Sequence, residues 1–316
     1  MCYTKKDLLG TRNLSKDEIL YFIERAKEFK ILNSKPVKKS SNLLGKSVIN
    51  AFFENSTRTR ISFETAQKRL GADSINFVAS QSSTAKGETL IDTIHNLEAM
   101  KTDFFVVRHS ASGSVNFIAQ NTNASVINAG DGTNEHPTQA LLDIFTIMQH
   151  REILNKISAD LSGLNISIIG DIDHSRVARS DIWAMQKLGA NLTLFGPPQM
   201  MPRRADAFNC KIAQNIDEAV HKADVIIMLR IQLERMNGEV PFPSKGEYMK
   251  FFGLNKERIK LANNPIILHP GPINRGVELS SEVADSECSL VLNQVENGVA
   301  IRMAVLSVLN ENRKNL

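Results

Sequence analysis

The sequence predicts an α/β protein of two similar-sized domains, each a parallel β-sheet flanked by helices and linked by interdomain helices. Short β-branched or aromatic runs alternate with segments whose apolar residues recur at helical spacing, the pattern of βα units. The alternation passes through a long helical stretch and restarts near residue 151. A chain of 316 residues is also long for one hydrophobic core.

The elements follow in order. In NLSKDEILYFIERAKEFK, Ser15 followed three residues on by Glu18 is a capping-box signature. Ile19, Phe22, Ile23 and Ala26 then supply an apolar helical face. SVINAFF (47–53) reads as a buried strand. The next helix takes Ile61, Phe63, Ala66 and Leu70 as apolar positions, with Gly71 as its stop. SINFV, IDTIHNLEAM, DFFVVR, VNFIAQN and SVINAG continue the alternation, and HPTQALLDIFTIMQHREIL forms a long helix with Pro137 in its first turn. NISIIGD, SDIWAMQKLG, ANLTLFGPP, NIDEAVHKADVIIMLR and NPIILHPGP then repeat the pattern. The expected domains are 1–150 and 151–291, with a final helix over 292–316 packing back on the first.

Hydrophobic residues make up 42% of the chain and charged residues 23%, the balance of a soluble globular protein. The net charge of +4 is scattered, which argues against a nucleic-acid partner and suits small anions. Cys2, Cys210 and Cys288 have no metal or disulfide spacing, so a reducing compartment is expected. No signal-peptide core is evident, and no apolar run approaches the roughly 20 residues that cross a bilayer. The expectation is a cytoplasmic protein with no membrane partner.

ENSTRTR, from Glu54 to Arg60, lies where the first strand hands over to a helix. A helix start leaves N–H groups without intrahelical partners and carries partial positive charge. Ser56, Thr57 and Thr59 hydroxyls and the Arg58 guanidinium added there make an anion socket. An ordinary cap needs one hydroxyl and no arginine, with Arg60 pairing to Glu64 one turn on.

Ligands of parallel sheets bind beyond the carboxyl ends of strands. Those positions here carry Arg108, then His136 with Gln139 one turn inward, Arg176, Arg230 with Gln232, and a turn at Pro270, Gly271 and Pro272. Any one of these alone reads as a solvated or capping residue; their recurrence in both halves favours a site. IIGDIDHSR offers only Gly170 where a dinucleotide fingerprint needs three glycines, and GETLIDT is no Walker loop. A phosphate ligand without a nucleotide, and no cofactor or metal, is expected.

STRTR (56–60), KGET (86–89), HPTQ (136–139) and HPGP (269–272), in that order and spacing, resemble the aspartate and ornithine carbamoyltransferase family along essentially the whole chain. Ornithine enzymes typically carry a Ser-Met-Gly motif and an HCLP turn; this chain has neither, and its LRIQLERM resembles the R-x-Q of the aspartate enzymes. Gly271 departs from the leucine of some members.

The resemblance implies transfer of a carbamoyl group from carbamoyl phosphate to the amine of L-aspartate, an early step of pyrimidine synthesis. Ser56, Thr57, Arg58 and Thr59 would hold the phosphate. Thr59, Arg108 and His136 would face the carbonyl oxygen, and Gln139 with the Pro270 and Gly271 carbonyls would accept from the carbamoyl NH₂. Arg176 and Arg230 suit the two carboxylates. Ser82 and Lys86 would reach a neighbouring subunit's site, implying a homotrimer. The chain contains no four-cysteine zinc module, so a metal-bearing regulatory chain, where one exists, is a separate polypeptide. The alternatives are another acceptor such as ornithine or an N-acylated relative, and a non-catalytic anion-binding protein of the same fold.

Overall fold

The computed structural model describes residues 2–78, 88–154, 159–231 and 244–314. The chain forms two compact units, Met1–Phe145 with Val295–Leu316, and Thr146–Gln294.

The first unit runs α1 (Lys16–Ser34), β1 (Ser47–Phe52), α2 (Thr57–Arg69), β2 (Asp73–Val78), α3 (Leu90–Ala99), β3 (Phe104–His109), α4 (Ser114–Gln120), β4 (Ser125–Asp131) and the start of α5 (Pro137–His150). The capping box is formed: Ser15 Oγ accepts from the Glu18 N–H at 3.1 Å, and Glu18 accepts from the Ser15 N–H at 2.8 Å. Ile19, Phe22, Ile23 and Ala26 are buried. The strands pair in parallel in the order β2-β1-β3-β4. Ile49, Ala51, Phe105, Val107 and Val126 from the sheet pack with Ile94, Val115 and Ile118 from the helices. Burial of this apolar surface, at about 25 cal/mol per Å², drives the layers together.

Helix α2 is fixed to β1 by a polar clasp. Asn50 Nδ2 donates to Gln67 Oε1 at 3.0 Å and Gln67 Nε2 donates back to Asn50 Oδ1 at 2.7 Å. Both residues are buried, so each amide meets the other's desolvation cost. Phe63, Ala66 and Leu70 face the core, whereas Ile61 is 53% exposed and lies off the buried face. Gly71 ends the helix at φ 84°, where a side chain would be strained. The Arg60–Glu64 pair expected for an ordinary cap is replaced. Glu64 binds Lys68 at 2.6 Å and Asn76 at 2.9 Å, and these bonds hold its carboxyl below the usual range, with Arg60 adding only a longer-range charge.

The second unit carries β5 (Asn165–Ile169), α6 (Arg176–Lys187), β6 (Asn191–Phe195), β7 (Lys211–Ile212), α7 (Ile216–Val220), β8 (Val225–Met228), α8 (Lys245–Phe252), α9 (Lys256–Ile259), β9 (Ile266–Leu268) and α10 (Ser281–Ala284). Its strands are parallel in the order β7-β6-β5-β8-β9. Ile169, Ile226, Met228 and Ile267 pack with Ala219, Val220, Leu254 and Leu279. The two sheets share one feature: β1 lies between β2 and β3, and β5 lies between β6 and β8, so winding reverses once in each. No helix among the described residues is long and apolar enough to cross a membrane.

Helix α11 (Val291–Arg313) ends in the first unit. There Arg302 Nη1 donates to Ser62 Oγ of α2 at 2.7 Å, and the guanidinium lies 4.9 Å from the Phe63 ring centre. A Cβ at Gly298, one turn earlier, would stand 2.6 Å from Nη1, so glycine leaves the room Arg302 occupies. Burial pushes the guanidinium pKa down to about 10, opposed by the charge of Asp143. Removing this cation takes a compensating positive charge away from that carboxylate. Arg302→Ala is expected to cost about 3 kcal/mol of stability, read as an earlier urea transition; a cost below about 0.5 kcal/mol would show that the residue anchors nothing.

Candidate active site

In the first unit, β1, β3 and β4 end side by side. Phe52 is in register with Arg108, and the Phe53 N–H donates to the Arg108 carbonyl at 2.8 Å. His109 is in register with Asp131. Strands pair about 4.8 Å apart, so the Ser56–Thr59 segment after β1, Arg108 at the end of β3 and the loop after β4 that leads to His136 belong to one strip. Helix α2 begins at Thr57. Ser56 is its N-cap residue but its side chain makes no capping hydrogen bond, and the first turn holds no acidic residue. The positive end of α2 is therefore left uncompensated by acidic side chains of its own turn.

Arg108 is oriented from two sides. Its Nε lies 2.7 Å from Glu54 Oε1, and its Nη1 donates to the Ala129 carbonyl at 3.3 Å. Glu54 belongs to the ENSTRTR stretch, yet its partnership was not legible there, because it joins two strand ends far apart in sequence.

His136 and Gln139 are buried at the start of α5, and Gln139 Nε2 donates to Asp143 Oδ1 at 3.1 Å. The loop that delivers them is held by carboxylates. Asp131 accepts from the Gly113 N–H at 2.8 Å, Asn128 Nδ2 at 2.8 Å and the Glu135 N–H at 3.2 Å. Glu135 in turn accepts from Thr11 Oγ1 at 2.9 Å and the Arg12 N–H at 3.1 Å.

The second unit repeats the arrangement. Beyond β5, Gly170 has φ 127°, and a Cβ there would lie 3.1 Å from Leu229 Cβ, so the ends of β5 and β8 approach closely. Arg176 is the first residue of α6 and is buried, while Ser175 caps the helix by accepting from the Ala178 N–H at 3.1 Å. Arg230 follows β8. Pro270, Gly271 and Pro272 follow β9, with Gly271 at φ 66° and the Gly271–Pro272 peptide cis. That φ lies in the region that favours glycine. Ser82, Lys86 and Gln232 lie outside the described residues. Among the described residues no group of His, Cys, Asp and Glu is arranged to hold a metal ion.

Two family profiles cover nearly the whole chain. "Aspartate/ornithine carbamoyltransferase, carbamoyl-P binding domain" matches residues 6–149, and "Aspartate/ornithine carbamoyltransferase, Asp/Orn binding domain" matches 162–309. The chain belongs to the aspartate/ornithine carbamoyltransferase family.

Within that family it is similar to the aspartate carbamoyltransferase catalytic subunit of Campylobacter concisus (strain 13826), 63% identical over 99% of this chain and 100% of the relative. Among solved structures it is similar to the catalytic subunit of M. jannaschii aspartate transcarbamoylase (TM-score 0.82, 33% identity, 99% of this chain and 100% of the other). The Trypanosoma cruzi aspartate transcarbamoylase in complex with carbamoyl phosphate and aspartate matches with TM-score 0.82 and 29% identity, over 96% of this chain and 97% of the other. The fold of two parallel sheets flanked by helices is that of these carbamoyltransferases.

His109 reports on the environment of this strip. It lies 5.2 Å from the Phe53 ring, and burial pushes its pKa below the ordinary 6.5, partly offset by the charges of Glu54 and Asp131. The unfolded chain therefore binds the proton more readily than the folded one. Its contribution to stability is complete above about pH 6.5 and is lost as pH falls from there through the lower folded value. An NMR titration is expected to give a His109 midpoint below 6.5; a midpoint above it would mean that Glu54 and Asp131 outweigh burial.

Proposed function

We infer that the chain transfers the carbamoyl group of carbamoyl phosphate to the amino group of L-aspartate, giving N-carbamoyl-L-aspartate and phosphate. The observation that carries this is full-length similarity, 63% identity over 99% of the chain, to an aspartate carbamoyltransferase catalytic subunit. HPGP (269–272) and LRIQ (229–232) fit the same reading, as does the absence of a Ser-Met-Gly motif.

The amine of aspartate attacks the carbamoyl carbon, a tetrahedral oxyanion forms, and the bond from that carbon to the phosphate oxygen breaks. The amine loses one proton, and the departing phosphate is itself a base able to take it. Two sites of negative charge need stabilising. Ser56, Thr57, Arg58 and Thr59 at the α2 N-terminus fit the phosphate. Thr59, Arg108 and His136 fit the carbonyl oxygen, with a neutral His136 donating one N–H. Gln139 and the carbonyls of Pro270 and Gly271 suit the carbamoyl NH₂. Arg176, Arg230 and Gln232 suit the aspartate carboxylates, Arg176 and Arg230 as guanidinium forks. On this reading 1–150 with the C-terminal helix is the carbamoyl phosphate domain and 151–291 the aspartate domain.

Ser82 and Lys86 complete the site from a neighbouring copy, which makes the working form a homotrimer with shared sites. The enzyme is assigned to the cytoplasm, where both small substrates and reduced cysteines are expected.

Purified chain given carbamoyl phosphate with aspartate or ornithine is expected to release phosphate and N-carbamoyl-L-aspartate only with aspartate; turnover confined to ornithine would reverse the acceptor. Arg108→Ala is expected to cut kcat about 100- to 1000-fold without unfolding the protein, and unchanged kinetics would remove it from the site. Mixing inactive Lys86→Ala and Arg58→Ala chains is expected to restore part of the activity, since one kind of hybrid interface combines two intact halves. Verified hybrids that stay inactive would count against shared sites.

A further inference from the structure

The turn after β9 is held by a carboxylate with no solvent exposure, Glu278. Its Oε1 lies 3.1 Å from His269 Nε2 and accepts from the Asn274 N–H at 2.6 Å, while Oε2 accepts from Asn274 Nδ2 at 3.2 Å. The other ring nitrogen, Nδ1 of His269, accepts from the Gly271 N–H at 2.8 Å. A backbone N–H only donates, so Nδ1 is bare and Nε2 carries the hydrogen it gives to Glu278. The tautomer follows from the bonds.

The same Asn274 amide reaches a second segment. Its Nδ2 also donates to the Ile231 carbonyl at 3.3 Å, directly after Arg230. The side chains repeat the link, since Ile231 and Val277 pack in one buried cluster with Met200 and Tyr248. One carboxylate therefore grips both the Pro270–Pro272 turn and the strand end that carries Arg230.

Stability alone gives little reason for this arrangement. A buried charge needs its donors to break even, and a well-packed apolar group of similar volume is often at least as stabilising. An apolar cluster, however, does not fix the direction of two carbonyls relative to a guanidinium several residues away. We propose that Glu278 is a positioning residue that couples the carbamoyl-accepting turn to the Arg230 segment, so that two of this unit's contributions to the site are set by one group. The proposal rests on the aspartate carbamoyltransferase reading, which gives the turn and Arg230 their substrates.

Glu278→Gln tests it, because the amide keeps the shape. Its oxygen can still accept from His269, but its NH₂ faces Asn274 Nδ2, donor against donor. Asn274 must then rotate, and the Ile231 carbonyl loses its donor. Asn274→Ala removes the same clasp without touching a fully buried residue. In the full-length enzyme each variant is expected to raise the KM for aspartate about three- to tenfold. The dissociation constant for carbamoyl phosphate, measured without aspartate, is expected to rise less than the aspartate KM, because the turn keeps its His269 contact and the proposed phosphate socket at the α2 N-terminus loses no bond. The double variant is expected to be no worse than Glu278→Gln alone.

An aspartate KM unchanged in both single variants overturns the coupling, as do losses that multiply in the double variant. Equal weakening for both substrates together with a lowered Tm also overturns it, since that pattern is general destabilisation. Should Glu278→Gln fail to fold, Asn274→Ala alone decides the matter by its aspartate KM. Wild-type enzyme inactive with aspartate would refute the functional reading and the proposal with it, whereas active wild type with unaffected variants refutes the coupling alone.

Discussion

A parallel sheet whose winding reverses leaves a crevice at the carboxyl ends of the two strands where the reversal occurs. The rest of this molecule depends on that constraint. In the first unit the reversal falls between β1 and β3, and in the second between β5 and β8. The residues with the best claim to chemistry follow those strands: Ser56–Thr59 and Arg108 in one unit, Arg176 and Arg230 in the other. In each unit the crevice collects backbone N–H groups and side chains from segments distant in sequence, and the strands beneath it, buried in that unit's own core, hold them still.

A cationic crevice must also keep its own groups aimed before a ligand arrives. Buried carboxylates do this here at low cost, because each accepts from several N–H groups. Asp131 and Glu135 organise the loop that leads into His136, and Glu278 organises the turn after β9. The donors offset the desolvation penalty of such a carboxylate, and the carboxylate imposes direction, which packing alone does not. Arg302 plays the converse part beneath α2, a buried cation between Ser62 and the Phe63 ring.

The order of elements was legible because local chemistry dictates it. Ser15 and Glu18 cap α1 as their spacing predicts, Pro137 opens α5, and Gly71 closes α2 at positive φ. The strand-end residues could be found from the same pattern, since a polar side chain directly after an apolar run marks the edge of a sheet. What periodicity does not carry is lateral order. That β1 lies between β2 and β3 depends on tertiary packing, and so does the meeting of Glu54 with Arg108. Glu278 was hidden for a similar reason: in HPGPINRGVEL it reads as a charged residue in a polar loop. Only the fold shows it buried. The Arg60–Glu64 pair failed because Lys68 and Asn76 reach Glu64 more directly.

The Glu54–Arg108 pair makes a final point about the balance between affinity and readiness. An arginine held at 2.7 Å by a carboxylate has already given up much of its rotamer freedom, so binding an anion costs less ordering entropy. The same carboxylate competes with that anion for the guanidinium, which weakens ground-state binding. The Ala129 carbonyl, at 3.3 Å from Nη1, fixes the plane of the fork without adding charge. On the carbamoyl-transfer reading proposed above, a guanidinium fixed in this way would face a carbonyl oxygen that gains charge only as the tetrahedral intermediate forms. Preorganised donors of this kind favour the transition state over the substrate, because the charge they meet is larger there. On that reading, Glu54 trades some affinity for an arginine that need not move when the reaction begins.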